Sequence, residues 1–288
     1  MPQRDVIDAH HHLWHPQDPG QEWLAEPGLE RIRAPFGMQE FRSASTNGVG
    51  GVPVAGSVVV QSVATTEETA ALLATAADDD LLAAVVGWVD LTGDVPAQLA
   101  ALQSGPGGDA LRGLRHLVQS EEDPRWLLRP DVLRGLRAVE DAGLAYDVLV
   151  RVHQLASAEE LARTLPGLRL VLDHAGKPDL AGGELAGWRA GISRLAEHEG
   201  VVVKLSGLVT EADHAHWSPG DIAPAWDTLL EAFGPSRIAF GSDWPYCLLA
   251  ATWERWAAVV AELVDPLSPT EQDQVLRATA TTAYALDR

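Results

Sequence analysis

Residues 157–208 read SAEELARTLPGLRLVLDHAGKPDLAGGELAGWRAGISRLAEHEGVVVKLSGL, and this stretch decides the fold. Ser157–Thr164 is helical in pattern, with Ser157, Glu159 and Glu160 at its start. Leu168–His174 follows as a nearly continuous apolar run. Glu184–His198 is helical again and stops before Gly200. Val201–Leu208 is a second apolar run. A strand that is apolar at successive positions is buried on both faces, which is the condition of a parallel sheet. The same strand-then-helix unit repeats outward in both directions. Further strands are expected at Val6–His10, Ser57–Gln61, Ala83–Asp90, Leu111–Val118, Tyr146–Val152 and Ile238–Asp243. Further helices are expected at Thr66–Asp79 behind a Thr65 cap, Pro96–Gln103, Pro130–Ala142, Pro224–Phe233, Thr252–Leu263 and Pro269–Leu286. Eight strands each followed by a helix predict an α/β protein, a single-domain (β/α)8 TIM barrel over residues 1–288. An open doubly wound sheet would need a phosphate-binding glycine loop after an early strand. Gly48-Val49-Gly50-Gly51 instead precedes its strand. The Pro/Gly-rich tract 15–53 follows the first strand, so it is expected at the catalytic rim as part of a lid.

The 288 residues carry 41 acidic and 21 basic side chains, a formal net charge of −20. Such a surface repels phosphate backbones and anionic lipid, so neither nucleic acid nor a membrane is an expected partner. Cys247 is the single cysteine, which excludes an intrachain disulfide and a cysteine-based zinc cluster. The stretch Met1–Asp8 lacks the apolar segment of a signal peptide, and no run is long enough to span a bilayer. A cytoplasmic protein is expected. Nothing in the sequence decides between a monomer and a homo-oligomer.

Barrel enzymes place their chemistry at the C-terminal ends of the strands. Strand one ends in His10-His11-His12. Alternation along a strand directs His10 and His12 to one side and His11 to the other. Strand six ends in Asp173-His174, and strand eight in Gly241-Ser242-Asp243-Trp244. His10, His12, His174 and Asp243 therefore converge on one opening. Three imidazoles and a carboxylate suit one divalent ion, zinc above all. They suit equally a metal-free site in which imidazoles polarise a carbonyl and the carboxylate acts as base.

Four strings carry a resemblance that runs nearly the length of the chain. They are Ile7-Asp8-Ala9-His10-His11-His12-Leu13-Trp14, Leu172-Asp173-His174-Ala175-Gly176-Lys177-Pro178, Lys204-Leu205-Ser206-Gly207-Leu208 and Phe240-Gly241-Ser242-Asp243-Trp244-Pro245. Together they resemble the amidohydrolase superfamily, in its branch of sugar-lactonase and pyrone-dicarboxylate-lactonase-like proteins. The resemblance implies a barrel that hydrolyses lactone esters, with His10, His12, His174 and Asp243 at the family's active-site positions, with or without one divalent metal. Binuclear members use a carboxylated lysine on strand four. Leu111–Leu117 has no lysine, so one metal or none is expected here.

On this reading Asp243 is the general base, and His174 with the His10/His12 pair polarises the lactone carbonyl. Asp8, sharing the inward parity of His10, is expected to orient the pair. Arg115, Lys177 and Gln61 are candidate donors to a small-molecule lactone, with Gln119 nearby, and so is His153, which alternation along strand five places with Arg151 on the face toward the barrel interior. Trp14 and Trp244, with Trp88 and Trp217, fall near strand ends, where flat rings suit the C–H faces of a sugar. Two alternatives stand beside the lactonase. A non-oxidative decarboxylase of an aromatic or unsaturated acid would be favoured by Arg115 or Arg151 facing a bound metal. A non-catalytic ligand-binding barrel would keep its affinity without Asp243.

Overall fold

Each apolar run forms one strand of a parallel sheet. The strands are β1 (Val6–His11), β2 (Val54–Val60), β3 (Leu82–Gly87), β4 (Leu111–His116), β5 (Ala145–Val148), β6 (Arg169–Leu172), β7 (Val201–Leu205) and β8 (Ile238–Phe240). They neighbour one another in chain order, every adjacent pair parallel. This is a computed structural model, and it describes residues 5–286. The expectation about a leader rests partly on residues 1–4, which lie outside that range. Beyond β8 the chain turns onto β1: the Asp243 amide donates to the His10 carbonyl at 2.8 Å, and the His12 amide to that of Trp244 at 2.6 Å. The barrel closes where the catalytic strings meet.

Pleating divides the side chains. Val59, Val85, Leu114, Val148, Leu170, Val203 and Phe240 face outward into the main core. There they meet α2 (Thr66–Asp78) through α8 (Trp253–Val264), the ring of helices that also contains α3 (Val95–Gln103), α4 (Pro130–Asp141), α5 (Leu155–Thr164), α6 (Ala186–Ala196) and α7 (Pro219–Phe233). Inward-facing Ile7, Ala9, Val58, Val60, Ala84, Val86, Ala145, Val171 and Ala239 form a second cluster with Ala280, Ala283 and Tyr284 of the C-terminal tail. These interior residues are small, and the tail fills the space they leave.

The main departures from expectation follow local signals. The rim tract contains a short helix, α1 (Met38–Ala44), and 3-10 turns at Gln21–Ala25 and Glu30–Ile32. Helix α7 starts at Pro219 rather than Pro224, because the Asp221 carboxylate accepts from both the amide and the hydroxyl of Ser218, each at 2.8 Å, and fixes the first turn there. Strand β5 stops at Val148 instead of Val152, which matters for the site. Among the described residues no helix is long and apolar enough to cross a membrane.

Candidate active site

Four buried side chains meet at the mouth. Nε2 of His10 lies 3.2 Å from Nε2 of His12. Oδ1 of Asp243 lies 3.8 Å from Nε2 of His10, 3.5 Å from that of His12 and 3.9 Å from that of His174. Each ring is held from behind. His12 Nδ1 is 2.7 Å from the Val60 carbonyl, and His174 Nδ1 is 3.0 Å from Ser206 Oγ. Zinc ligands at about 2.0–2.2 Å in a tetrahedron stand about 3.3–3.6 Å apart. The separations of 3.2–3.9 Å and the N/O donor chemistry fit one divalent ion, and ligand-type atoms of His10, His174 and Asp243 all lie within 4.8 Å of one another.

The motif glycines exist to make room. A Cβ on Gly207 would sit 2.6 Å from His174 Nδ1, and one on Gly241 would sit 2.8 Å from the His10 Cβ. The backbone at His174, Ala175 and Lys177, and at Asp243, is left-handed, with φ of 50°, 53°, 56° and 58°. L-residues adopt that region at a cost of about 1–2 kcal/mol each. Strain of this kind persists where surrounding packing fixes it, commonly at functional sites.

The electrostatics follow burial. Desolvation pulls the His174 imidazole down to about 4 and His10 well below its ordinary value, the latter helped by the Lys204 charge. Both rings are neutral near pH 7, as ligands or electrophiles must be. Burial opposes ionisation of Asp243, but His174 and His12 outweigh it and hold the carboxyl below its ordinary value. Asp243 is therefore a carboxylate at working pH.

Beside the cluster opens a cavity of about 530 Å³, walled by Trp14, Trp23, Tyr246, Leu117 and Leu149, with His12, Arg115, Gln119, His174, Lys177 and Asp243 supplying polar groups. Lys177 reaches it while paired with Glu211 at 2.8 Å. Arg115 lines it too, but its Nη1 is 3.0 Å from Asp173 Oδ2 and its Nη2 donates to the Gln61 carbonyl.

Three expected substrate contacts lie elsewhere. His153 is exposed and outside the cavity lining: with β5 ending at Val148, the chain enters a 3-10 turn over Val152–Gln154 and the strand alternation behind the expectation no longer applies. Gln61 is fully buried, its Nε2 donating to the Arg115 carbonyl at 3.1 Å, so it braces Arg115. Trp244 packs edge-on against Phe36 and tilted against Phe41, behind the cavity wall. Arg151 is exposed. Asp8 also departs from expectation. The β1–β2 register slips between Asp8 and His11, and the Asp8 carboxylate takes the amide of Ser242 at 2.8 Å and Nε1 of Trp253 at 3.0 Å. It steadies the backbone of His10 at 3.2 Å rather than either ring.

Asp147, Asp173, Lys204 and Tyr284 form the layer beneath, to which the sequence pattern assigns no role. One signal pointed there. The chain's lysines are Lys177 and Lys204, and both fall in motif strings.

A (β/α)8 barrel with three imidazoles and a carboxylate gathered at its C-terminal mouth belongs to the water-activating hydrolase barrels. The comparisons make this specific: the model of the amidohydrolase family matches residues 7–286, and the chain belongs to that family. It is 39% identical to an L-fucono-1,5-lactonase of Burkholderia multivorans over 97% of this chain and 96% of that protein. It is 36% identical to an L-fucono-1,5-lactonase of Burkholderia ambifaria, with 98% and 96% covered. Crystal structures of an amidohydrolase from Burkholderia multivorans, one with bound HEPES and one with bound zinc, superpose with a TM-score of 0.90 at 36% identity, covering 98% of this chain and 99% of theirs.

Proposed function

We propose that this chain opens the ester bond of a sugar-acid lactone by attack of water, with Asp243 as general base. The observation that carries the reading is the convergence of His10, His12, His174 and Asp243 beside an aromatic-walled cavity, in a chain whose near-full-length relatives are L-fucono-1,5-lactonases. A divalent ion held by these four residues, zinc being the candidate from the Burkholderia multivorans relative, would polarise the carbonyl and bring a water's pKa toward about 7.

The rest falls to the side chains. Asp243 takes a proton from water as oxygen attacks the carbonyl carbon, and the carbonyl π pair moves onto its oxygen. When the tetrahedral species collapses, the bond from carbon to ring oxygen breaks. Asp243 returns the proton to the departing alkoxide, giving a hydroxy acid that ionises and releases one proton. Lys177 donates to a substrate oxygen. Trp14, Trp23 and Tyr246 offer flat faces to the sugar's C–H surface and exclude water.

A pH-indicator screen of 1,5- and 1,4-aldonolactones, with and without chelator, tests this. L-fucono-1,5-lactone is expected to open, and chelation to lower the rate at least tenfold. Intact lactones alongside carbon dioxide release from an aromatic acid would establish the decarboxylase alternative instead.

A further inference from the structure

Beneath the proposed centre the barrel interior holds charges that the reaction above does not use. Nζ of Lys204, on β7, donates to Asp147 Oδ2, lies 2.9 Å from Asp173 Oδ1 and lies 2.9 Å from Nδ1 of His10. Lys204, Asp147, Asp173 and His10 all have no exposed surface. From the floor, Tyr284 of the C-terminal tail donates its hydroxyl to the Asp147 carboxylate at 2.9–3.0 Å, and its ring lies 5.5 Å from the ammonium. Ligand-type atoms of His10, Asp147 and Asp173 lie within 4.8 Å of one another, a donor set suited to a cation. The Lys204 ammonium stands among them.

Hydrogen positions follow from the partners. The Val60 carbonyl only accepts, so His12 Nδ1 carries a hydrogen and His12 Nε2 presents a lone pair. With no metal bound, the 3.2 Å contact from His10 Nε2 is then a hydrogen bond only if His10 Nε2 is the donor. The opposite tautomer would set Nδ1–H toward Asp173 Oδ1 at 3.2 Å and leave Nε2 to accept from Arg115 Nη1 at 3.4 Å; the closer approach of the Lys204 ammonium at 2.9 Å, which only donates, makes His10 Nδ1 the acceptor.

We propose that Lys204 is a positioning residue: an internal cation, anchored by Asp147, Asp173 and the tail residue Tyr284, that fixes the ring of His10 from behind and turns its Nε2 to the reaction centre. The proposal rests on the reading of His10 as a site residue. It gives the tail a functional link to a mouth it does not touch. It also accounts for the paired carboxylates, which a purely hydrophobic interior would not need.

The test uses two variants of the full chain. Lys204→Met with Asp147→Asn removes one cation and one anion together, leaving no lone buried charge. Tyr284→Phe removes a single hydroxyl. The first readout needs no substrate: long-range proton–nitrogen correlation of the histidine rings in chelator-treated protein, with His10 assigned by its loss in His10→Asn. Wild type is expected to show His10 as the Nε2–H form. The double variant is expected to switch to Nδ1–H, donating to Asp173. The second readout is the kinetic split on L-fucono-1,5-lactone and zinc affinity by chelator competition. Residues that orient metal ligands typically contribute 10–100-fold. The double variant should lose 10–100-fold in kcat and in zinc affinity with KM within about threefold, and Tyr284→Phe about threefold to tenfold in kcat. An unchanged His10 tautomer in the double variant overturns the proposal. If that variant does not fold, a Tyr284→Phe protein with kcat within twofold of wild type does so. A tautomer switch in a chain that opens no lactone leaves the proposal standing and sinks the proposed function.

Discussion

Asp243→Asn, assayed with zinc in excess because Asp243 is also a proposed metal ligand, tests the proposed base. The substitution keeps the shape of the side chain and removes its basicity. The backbone is prepared for it. Asp243 sits at φ 58°, a region asparagine enters readily, whereas alanine there would add strain of about 1–2 kcal/mol. Its amide donates to the His10 carbonyl at 2.8 Å and its carbonyl accepts from the Cys247 amide at 2.8 Å, so the loop stays in place. A positioned general base contributes about 10²–10⁴ in rate, equivalent to about 3–5 kcal/mol of barrier. The expected result is a fall in kcat of that size with KM within about threefold, since the aromatic wall and Lys177 are untouched. The wild-type pH profile supplies a second check. Asp243 is held below its ordinary value and His174 at about 4, so in chelator-treated enzyme the residual kcat/KM should be flat from pH 8 to pH 5 and fall only in the carboxylate range below, while a limb near pH 7 in the zinc form belongs to the bound water. Initial rates in a pH-indicator assay, corrected for spontaneous hydrolysis, measure both. Folded Asp243→Asn protein that retains more than a tenth of wild-type kcat would refute Asp243 as base, and an acidic limb centred near pH 6.5 in chelator-treated enzyme would refute the neutral-imidazole site.

Other variants probe the surroundings. His11 points away from the site, stacked on Phe41 and 3.0 Å from Ser57 Oγ, and burial lowers its imidazole to about 3. The unfolded chain therefore takes up a proton below about pH 6.5 that the folded chain refuses, and folding stability falls with pH by about 1.4 kcal/mol per unit. Urea titrations should show wild type losing about 2 kcal/mol more than His11→Gln between pH 7 and pH 5, and equal slopes would exclude the buried neutral ring. Lys177→Met should raise KM roughly tenfold while kcat changes less than threefold, the mark of a group that binds substrate in ground and transition states alike. His153→Ala should leave both constants within about twofold, because the residue is exposed and off the cavity; a tenfold loss would restore it to the site.

The fold was legible because burial on both faces leaves a simple trace: eight near-continuous apolar runs, all of which became strands. The mouth was legible because ligand-type residues at strand ends have few other reasons to recur in three places. What failed was alternation carried past its range. The inward aim assigned to His153 assumed four more residues of β5 than form. Asp8 assumed an unbroken β1, whose register slips before His11. Gln61 and Trp244 were placed at the right height but on the wrong side of the wall, and a linear pattern carries no information on which neighbour claims a side chain. Tyr284 lay beyond reach altogether, since its partner Asp147 is 137 residues away in sequence.

The same geometry separates the lactonase from the decarboxylase. Arg115 does face the centre, with Nη1 3.4 Å from His10 Nε2, the feature that would favour binding a carboxylic acid. Recognition of a carboxylate by arginine uses two parallel N–H donors. Here Nη1 is committed to Asp173 at 3.0 Å and Nη2 to the Gln61 carbonyl, and the Gln61 amide in turn holds the Arg115 backbone at 3.1 Å. The Nη1–Nη2 edge is turned to partners inside the protein, so an acid substrate would have to displace the buried Asp173 to take that edge, with only Nε left without a partner among the described residues. A neutral lactone makes no such demand. It needs a donor for a hydroxyl, a flat wall for its ring and a base for its water, and Lys177, the Trp14–Trp23–Tyr246 surface and Asp243 stand around the cavity in those positions.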